Sequence, residues 1–272
     1  MASAAGDALT FARNLQTGRS LIEVSSGDAR LDAFLADGYM RIRGMSSRFS
    51  AAICGHLLRH QSALGIVGDL LEIGTFEGRF FVAMALLLGA DEHALGIDVF
   101  SWPSPAVYDR LLANCAAAGL AAGSYTAWKV DTRTISAADL RARLPAGKAR
   151  FIHIDGEHIP ECLRNDLALA HAALHPDGVV ALDDMLHPGY PTLVVTVLEF
   201  LQRHPDMRVF CIVDRESITA AAKFLLCRAE RADAYQRDLM AAFPQFHYVL
   251  GGSIMGQLAL VLTPDPTLPQ ID

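Results

Sequence analysis

Gly68-Asp69-Leu70-Leu71-Glu72-Ile73-Gly74-Thr75-Phe76-Glu77-Gly78 reads as a strand and the turn that leaves it. A short apolar run carries an acid near its end, bends at Gly74 and Gly78, and passes into an Ala/Leu-rich stretch with helical spacing. Four further runs share the pattern: Ala94-Leu95-Gly96-Ile97-Asp98, Tyr125 to Asp131, Phe151-Ile152-His153-Ile154-Asp155, and Val179-Val180-Ala181-Leu182-Asp183. Helices are expected between them at about 77–90, 105–119, 136–143, 160–174 and 192–204. Five strand–helix units in succession predict an α/β protein with a doubly wound, Rossmann-like, mostly parallel sheet covered by helices on both faces. Strands at 208–214, 222–228 and 257–263 are expected to add an antiparallel edge, with another helix over 230–242. Residues 1–64 read as helical, with polar breaks at Ser25-Ser26-Gly27-Asp28 and Asp37-Gly38. The expected organisation is an N-terminal helical extension over 1–64, serving as a lid or oligomer contact, followed by the sheet domain over 65–272.

Composition sets the outer bounds. The 272 residues are 52% hydrophobic and 19% charged, which excludes a disordered or collagen-like chain. Lys and Arg total 23 against 30 Asp and Glu, a formal charge of −7 that argues against a nucleic-acid backbone as the main partner. The five cysteines are dispersed without metal-ligand spacing, as expected of reduced thiols in a cytoplasmic protein. The start of the chain lacks the basic and apolar regions of a signal peptide, and the strongly apolar stretch Phe80 to Ala90 is about half a membrane span.

Ligands of an open α/β sheet bind beyond the carboxyl ends of its strands. Here each of the first five strands ends in or beside an acid: Glu72, Asp98, Asp131, Asp155 and Asp183-Asp184. Capping explains one such residue, but five on one rim are harder to explain that way. The dinucleotide pattern G-x-G-x-x-G is absent, because Phe76 stands where its second glycine would approach a pyrophosphate. Asp98, at the end of the second strand, can accept both hydroxyls of a ribose. A nucleoside without a pyrophosphate therefore fits better than NAD.

On Glu72-Ile73-Gly74-Thr75-Phe76-Glu77-Gly78, Gly96-Ile97-Asp98 and the strand-end acids Asp155 and Asp183-Asp184, the chain resembles the class I S-adenosylmethionine-dependent methyltransferases over roughly residues 66–204. The resemblance implies cofactor contacts from Glu72, Gly74, Thr75, Phe76 and Gly78, from Asp98 and Val99, and from Asp155. It places Asp131 beside the adenine.

Asp155 and the pair Asp183-Asp184 end neighbouring strands. Three carboxylates gathered at one point repel one another, and a hard divalent cation such as Mg²⁺ resolves the repulsion. His158, three residues after Asp155, is the candidate base. This constellation is similar to the metal-dependent sugar O-methyltransferases of macrolide antibiotic biosynthesis, which carry Asp-Gly-x-His after strand four and an acidic pair 28 residues beyond that Asp. Asp155 and Asp183 are also 28 apart. The resemblance implies Asp155, Asp183 and Asp184 as metal ligands and His158 as general base. It departs at Asp183, where those relatives carry Glu. The shorter side chain either reaches the ion through water or leaves Asp155 and Asp184 as the direct ligands.

The expected reaction is Mg²⁺-dependent O-methylation of a hydroxyl on a small molecule, a sugar or another polyol-bearing natural product, by a homo-oligomeric enzyme. Two rivals are a metal-independent methyltransferase using His158 alone and a non-catalytic nucleotide-binding module. His153 lies within a strand, where core packing or a sheet hydrogen bond is expected. His187 is expected to shape a substrate loop. Phe100 and Trp102 are candidates to flank adenine, and Met185, Tyr190 and the 214–220 loop to line the acceptor pocket.

Overall fold

One sheet organises the computed structural model, which describes residues 23–216 and 221–266. The N-terminal expectations for residues 1–22, and the loop residues 217–220, lie outside the described residues. In chain order the strands are β1 (Asp69–Ile73), β2 (Ala94–Asp98), β3 (Tyr125–Lys129), β4 (Ala149–Ile154), β5 (Leu174–Met185), β6 (Met207–Val213), β7 (Ala222–Arg228), β8 (Gly252–Ile254) and β9 (Gln257–Leu262). Their spatial order is β3-β2-β1-β4-β5-β7-β6-β9-β8. Neighbours from β3 to β5 are parallel. β7 inserts between β5 and β6, antiparallel to both. β9 then pairs parallel with β6, and the edge strand β8 pairs antiparallel with β9. The reversal of direction expected at an edge thus also occurs inside the sheet, at β7.

Every residue of β1 and β4 is buried, the polar Asp69, Glu72, Arg150 and His153 included, as in strands covered on both faces. The helices divide between the two faces. One core holds side chains of α1 (Ala29–Ala33), α2 (Arg48–Ala63), α3 (Arg79–Ala85), α4 (Ala106–Ala117) and α8 (Ala229–Ala242). The other holds those of α5 (Ala137–Arg141), α6 (Pro160–Ala173) and α7 (Thr192–Arg203). Local signals set several helix starts. Asp28 accepts from the amides of Arg30 and Leu31, Ser47 accepts from Ser50, Ser136 and Asp139 form a reciprocal capping box, and Pro160 opens α6.

The region read from sequence as continuous helix is only partly so. After α1 the chain widens into a π turn over 34–38 and tightens into a 3₁₀ turn over 39–41, around the Asp37-Gly38 break, and residues 42–47 are irregular. Leu31, Leu35, Tyr39 and the inner face of α2 belong to the same core as the sheet. Over its described residues, this segment covers one face of the sheet.

Candidate active site

The loops leaving β1 to β5 enclose a cavity of about 690 Å³, a size typical of ligand sites. Gly74 and Phe76 line it from the first loop, Asp98, Val99 and Trp102 from the second, and Val130 to Arg133 from the third. Asp155 to Ile159 line it after β4, and Asp183, Asp184, His187 and Tyr190 after β5. Met45 and Ala221 complete the wall. Four of the five non-glycine residues with positive φ among the described residues (Phe76, Phe100, Asp184 and Leu186) lie in these loops. Surroundings must hold such backbone in place, and it concentrates at functional sites.

At one end, Asp98 organises two loops. Its Oδ2 accepts from the Phe76 amide at 2.8 Å and its Oδ1 from the Phe100 amide at 2.7 Å. Each oxygen retains a lone pair for a further donor. Phe76, at φ +50°, adopts the left-handed conformation that a glycine usually takes. Its ring lies 5.7 Å from that of Trp102, which is exposed at the cavity, whereas Phe100 is fully buried in the core. The expectation for this aromatic pair therefore passes to Phe76 and Trp102. Asp131 lines the cavity and is held by Arg133, whose guanidinium donates to both carboxylate oxygens.

Three residues expected at the cofactor do not line the cavity. Glu72 is the fourth residue of β1, and its buried carboxylate lies 2.6 Å from His153 Nδ1. Strand pleating turns it into the core. Thr75 is buried and donates its hydroxyl to the Ile97 carbonyl at 3.3 Å. Gly78, at φ +85°, starts α3 where a β-carbon would stand 2.4 Å from Leu111, so packing accounts for this glycine. Gly74 is constrained more severely: a β-carbon there would fall 1.8 Å from the Asp155 carbonyl oxygen.

The other end gathers charge. His158 Nε2 lies 2.7 Å from Asp184 Oδ2 and 3.8 Å from Asp155 Oδ1. Burial raises the Asp155 carboxyl to about 7, reinforced by the Asp183 charge. Burial also works against a charged His158, but hydrogen bonds with Asp155 and Asp184 outweigh it and raise the ring to about 11. Between these two carboxylates the ring favours its protonated form. Tyr190 stacks between His158 and His187, with centroids 4.3 and 4.8 Å away. Ligand atoms of Asp155, His158 and Asp184 all lie within 4.8 Å of one another, a spacing that suits a cation.

Asp183 departs from the expected ligand set. Its Oδ2 pairs with Lys223 Nζ and accepts from Ser46 Oγ at 3.0 Å, while its Oδ1 accepts from the Asp184 amide at 2.9 Å. Burial favours the neutral acid, but the Lys223 ammonium and His153 outweigh it and hold Asp183 far below the usual carboxylate range. His153, Asp155 and Asp183 also keep their ligand atoms within 4.8 Å of one another, but Lys223 already pairs with Asp183, so Asp155 and Asp184 beside His158 are the more open set for a cation. His153 is buried between Glu72 and Lys223, within the strand network expected of it. Lys223 escaped the motif argument. Its signal was a single cation in the apolar run Ala222-Lys223-Phe224-Leu225-Leu226-Cys227.

Residues 71–185 match a family model described as a methyltransferase domain. A search of curated proteins finds no significant match. Among solved structures, the O-methyltransferase NovP superposes with a TM-score of 0.53 at 12% identity, covering 67% of this chain and 80% of that one. CalS11, a TDP-rhamnose 3'-O-methyltransferase of calicheamicin biosynthesis, gives 0.51 at 15% identity over 82% and 94%. An O-methyltransferase from Bacillus cereus in complex with SAH gives 0.50 at 14% identity over 73% and 90%. At these identities the likeness is one of fold. Family match and fold agree: residues 71–185 are similar to a methyltransferase domain, and the sheet that holds them has the fold of the solved methyltransferases.

Proposed function

We propose that this protein transfers a methyl group from S-adenosylmethionine to a hydroxyl oxygen of a small molecule, a sugar or another polyol-bearing natural product. The observation that carries this reading is the meeting of Asp155, Asp184 and His158 at one end of a cavity whose other end holds Asp98. The fold relatives named as O-methyltransferases, one of them acting on a TDP-sugar, favour an oxygen acceptor.

Methyl transfer from a sulfonium is an in-line displacement. The acceptor oxygen bonds to the methyl carbon while the sulfur leaves with the electron pair, so holding three atoms in line supplies much of the rate. Asp98 is positioned to take the ribose hydroxyls, and Phe76 and Trp102 to border the nucleoside. Asp155 and Asp184 would hold a divalent cation such as Mg²⁺, which lowers the pKa of a bound hydroxyl. His158 is placed to take the acceptor's proton at Nε2 once its carboxylate partners are balanced by another positive charge. Tyr190 and His187 form the flat wall against which the acceptor rests.

Asp155→Ala and Asp184→Ala are expected to abolish turnover while calorimetric binding of S-adenosylhomocysteine stays within about threefold. Normal turnover in either variant removes this mechanism. Lys223 on Asp183, and the balance of both remaining carboxylates by His158, favour a second reading in which no metal takes part. Full activity in EDTA selects it.

The five cysteines, all free and buried, support a reducing, cytoplasmic setting. No helix among the described residues is long and apolar enough to cross a membrane. The exposed apolar residues Val249, Leu250, Met255 and Leu258 around β8 support a homo-oligomer, and a monomeric mass by light scattering would exclude it.

A further inference from the structure

Lys223 points from β7 into the core behind the cavity, and 1% of it is exposed. Its ammonium meets three groups: Asp183 Oδ2, Ser46 Oγ at 3.1 Å and His153 Nε2 at 3.0 Å. Ser46 Oγ in turn donates to the same Asp183 oxygen. With Oδ2 gripped from two sides, Oδ1 faces forward and accepts the Asp184 amide. That hydrogen bond spans the peptide at which the chain leaves regular strand geometry, because Asp184 lies at φ +60°. Asp enters this region more readily than most residues with a β-carbon, and neighbouring contacts select it here. In this conformation the Asp184 carboxylate reaches His158 at 2.7 Å. The same grip anchors Ser46, whose neighbour Met45 is part of the cavity wall.

We infer that Lys223 is a positioning residue: by clamping Asp183 against Ser46, it fixes the left-handed turn at Asp184 and so aims that carboxylate at His158. The role rests on the proposed site at Asp184 and His158. Lys223 itself does not line the cavity. A buried ammonium suits this task, since it is a compact charge with three donors that reaches acceptors on separate parts of the chain.

Lys223→Met keeps the length of the side chain and removes its charge. With Asp184 released from its turn, kcat is expected to fall about 100-fold, the cost of a displacement on the order of 1 Å at the reacting groups. The dissociation constant of S-adenosylhomocysteine is expected to stay within about threefold. The ¹⁵N resonances of the His158 ring, assigned with His158→Asn, are expected to move from their parental positions. Ser46→Ala removes one side of the clamp without leaving a charge unpaired, and kcat is expected to fall about fivefold with the same sign of resonance change. Should Lys223→Met fail to fold, Ser46→Ala carries the test. Parental kcat and parental ring resonances in either folded variant overturn the inference. So does a loss of S-adenosylhomocysteine binding in step with kcat, which marks general damage to the fold. If the parent protein binds S-adenosylhomocysteine but methylates no hydroxylated acceptor, the proposed function fails while the His158 resonances still decide the role of Lys223.

Discussion

Two cations on the strands either side of β5 are equally hidden from water and differently used. Arg150, at the start of β4, is fully buried and forks onto Glu92 at 2.6 and 2.8 Å, while its remaining nitrogen donates to the Leu58 carbonyl and to Gln61. Glu92 also accepts the amides of Gly68 and Gly89. Every oxygen of that carboxylate is engaged. The cluster around Lys223 meets β4 at His153, near the other end of the strand, and leaves Glu72 Oε2 buried without a partner. A closed, bidentate pair fastens strand β4 to helix α2 and to the loop before β2. An open network beside a cavity instead gives up satisfaction for a particular arrangement of charges, a trade expected where a fold serves chemistry.

Breaking the closed pair should have the larger effect. Arg150→Met strands a buried carboxylate and is expected to cost about 3–5 kcal/mol in denaturant unfolding. An unchanged midpoint would show that the pair is dispensable. Glu92→Gln keeps the shape and weakens the charge-assisted bonds, for an expected loss of about 2 kcal/mol at neutral pH.

The two carboxyls also give opposite signs with pH. Burial raises Glu92, but hydrogen bonds from Arg150 and from the Gly89 and Gly68 amides outweigh it and leave the group below its usual 4.5. Its contribution is present above pH 4.5 and lost as pH falls through the lower folded value, so Glu92→Gln should flatten the acid limb of the stability profile. Burial raises Glu72 above 4.5, and His153 only partly offsets it. That contribution is present below pH 4.5 and is lost as pH rises through the folded value. Glu72→Gln is therefore expected to stay within about 1 kcal/mol of the parent and to gain on it as pH rises. If both variants change stability with the same pH slope, the contrast between the two clusters is wrong.

Much of this was legible in the chain. Mainly apolar runs separated by helical spacing mark β1 to β5 and their covering helices, and the signature is strongest where burial on both faces demands it, in β1 and β4. The place of β7 was not legible. Its run looks like any buried strand, and insertion between β5 and β6 depends on which edges the other strands leave open. In the site, Asp98, Asp131, Asp155 and His158 reach the cavity because each sits at or beyond a strand end, and Asp184 reaches it from the irregularity near the end of β5, at φ +60°. Glu72 follows the same sequence pattern one residue before its strand ends, and alternation alone sends it inward. The commitment of Asp183 depended on Lys223, forty positions later and on another strand.

The absent β-carbon at Gly74 couples two halves of this protein that the sequence writes far apart. Its backbone rests so closely on the Asp155 carbonyl that no side chain enters without displacing the loop after β4. The loop after β1 and the loop that carries Asp155 and His158 are therefore packed backbone to backbone at this point. Retuning the enzyme toward another acceptor is left to surfaces that can move independently of this joint, at Met45 and over 186–190.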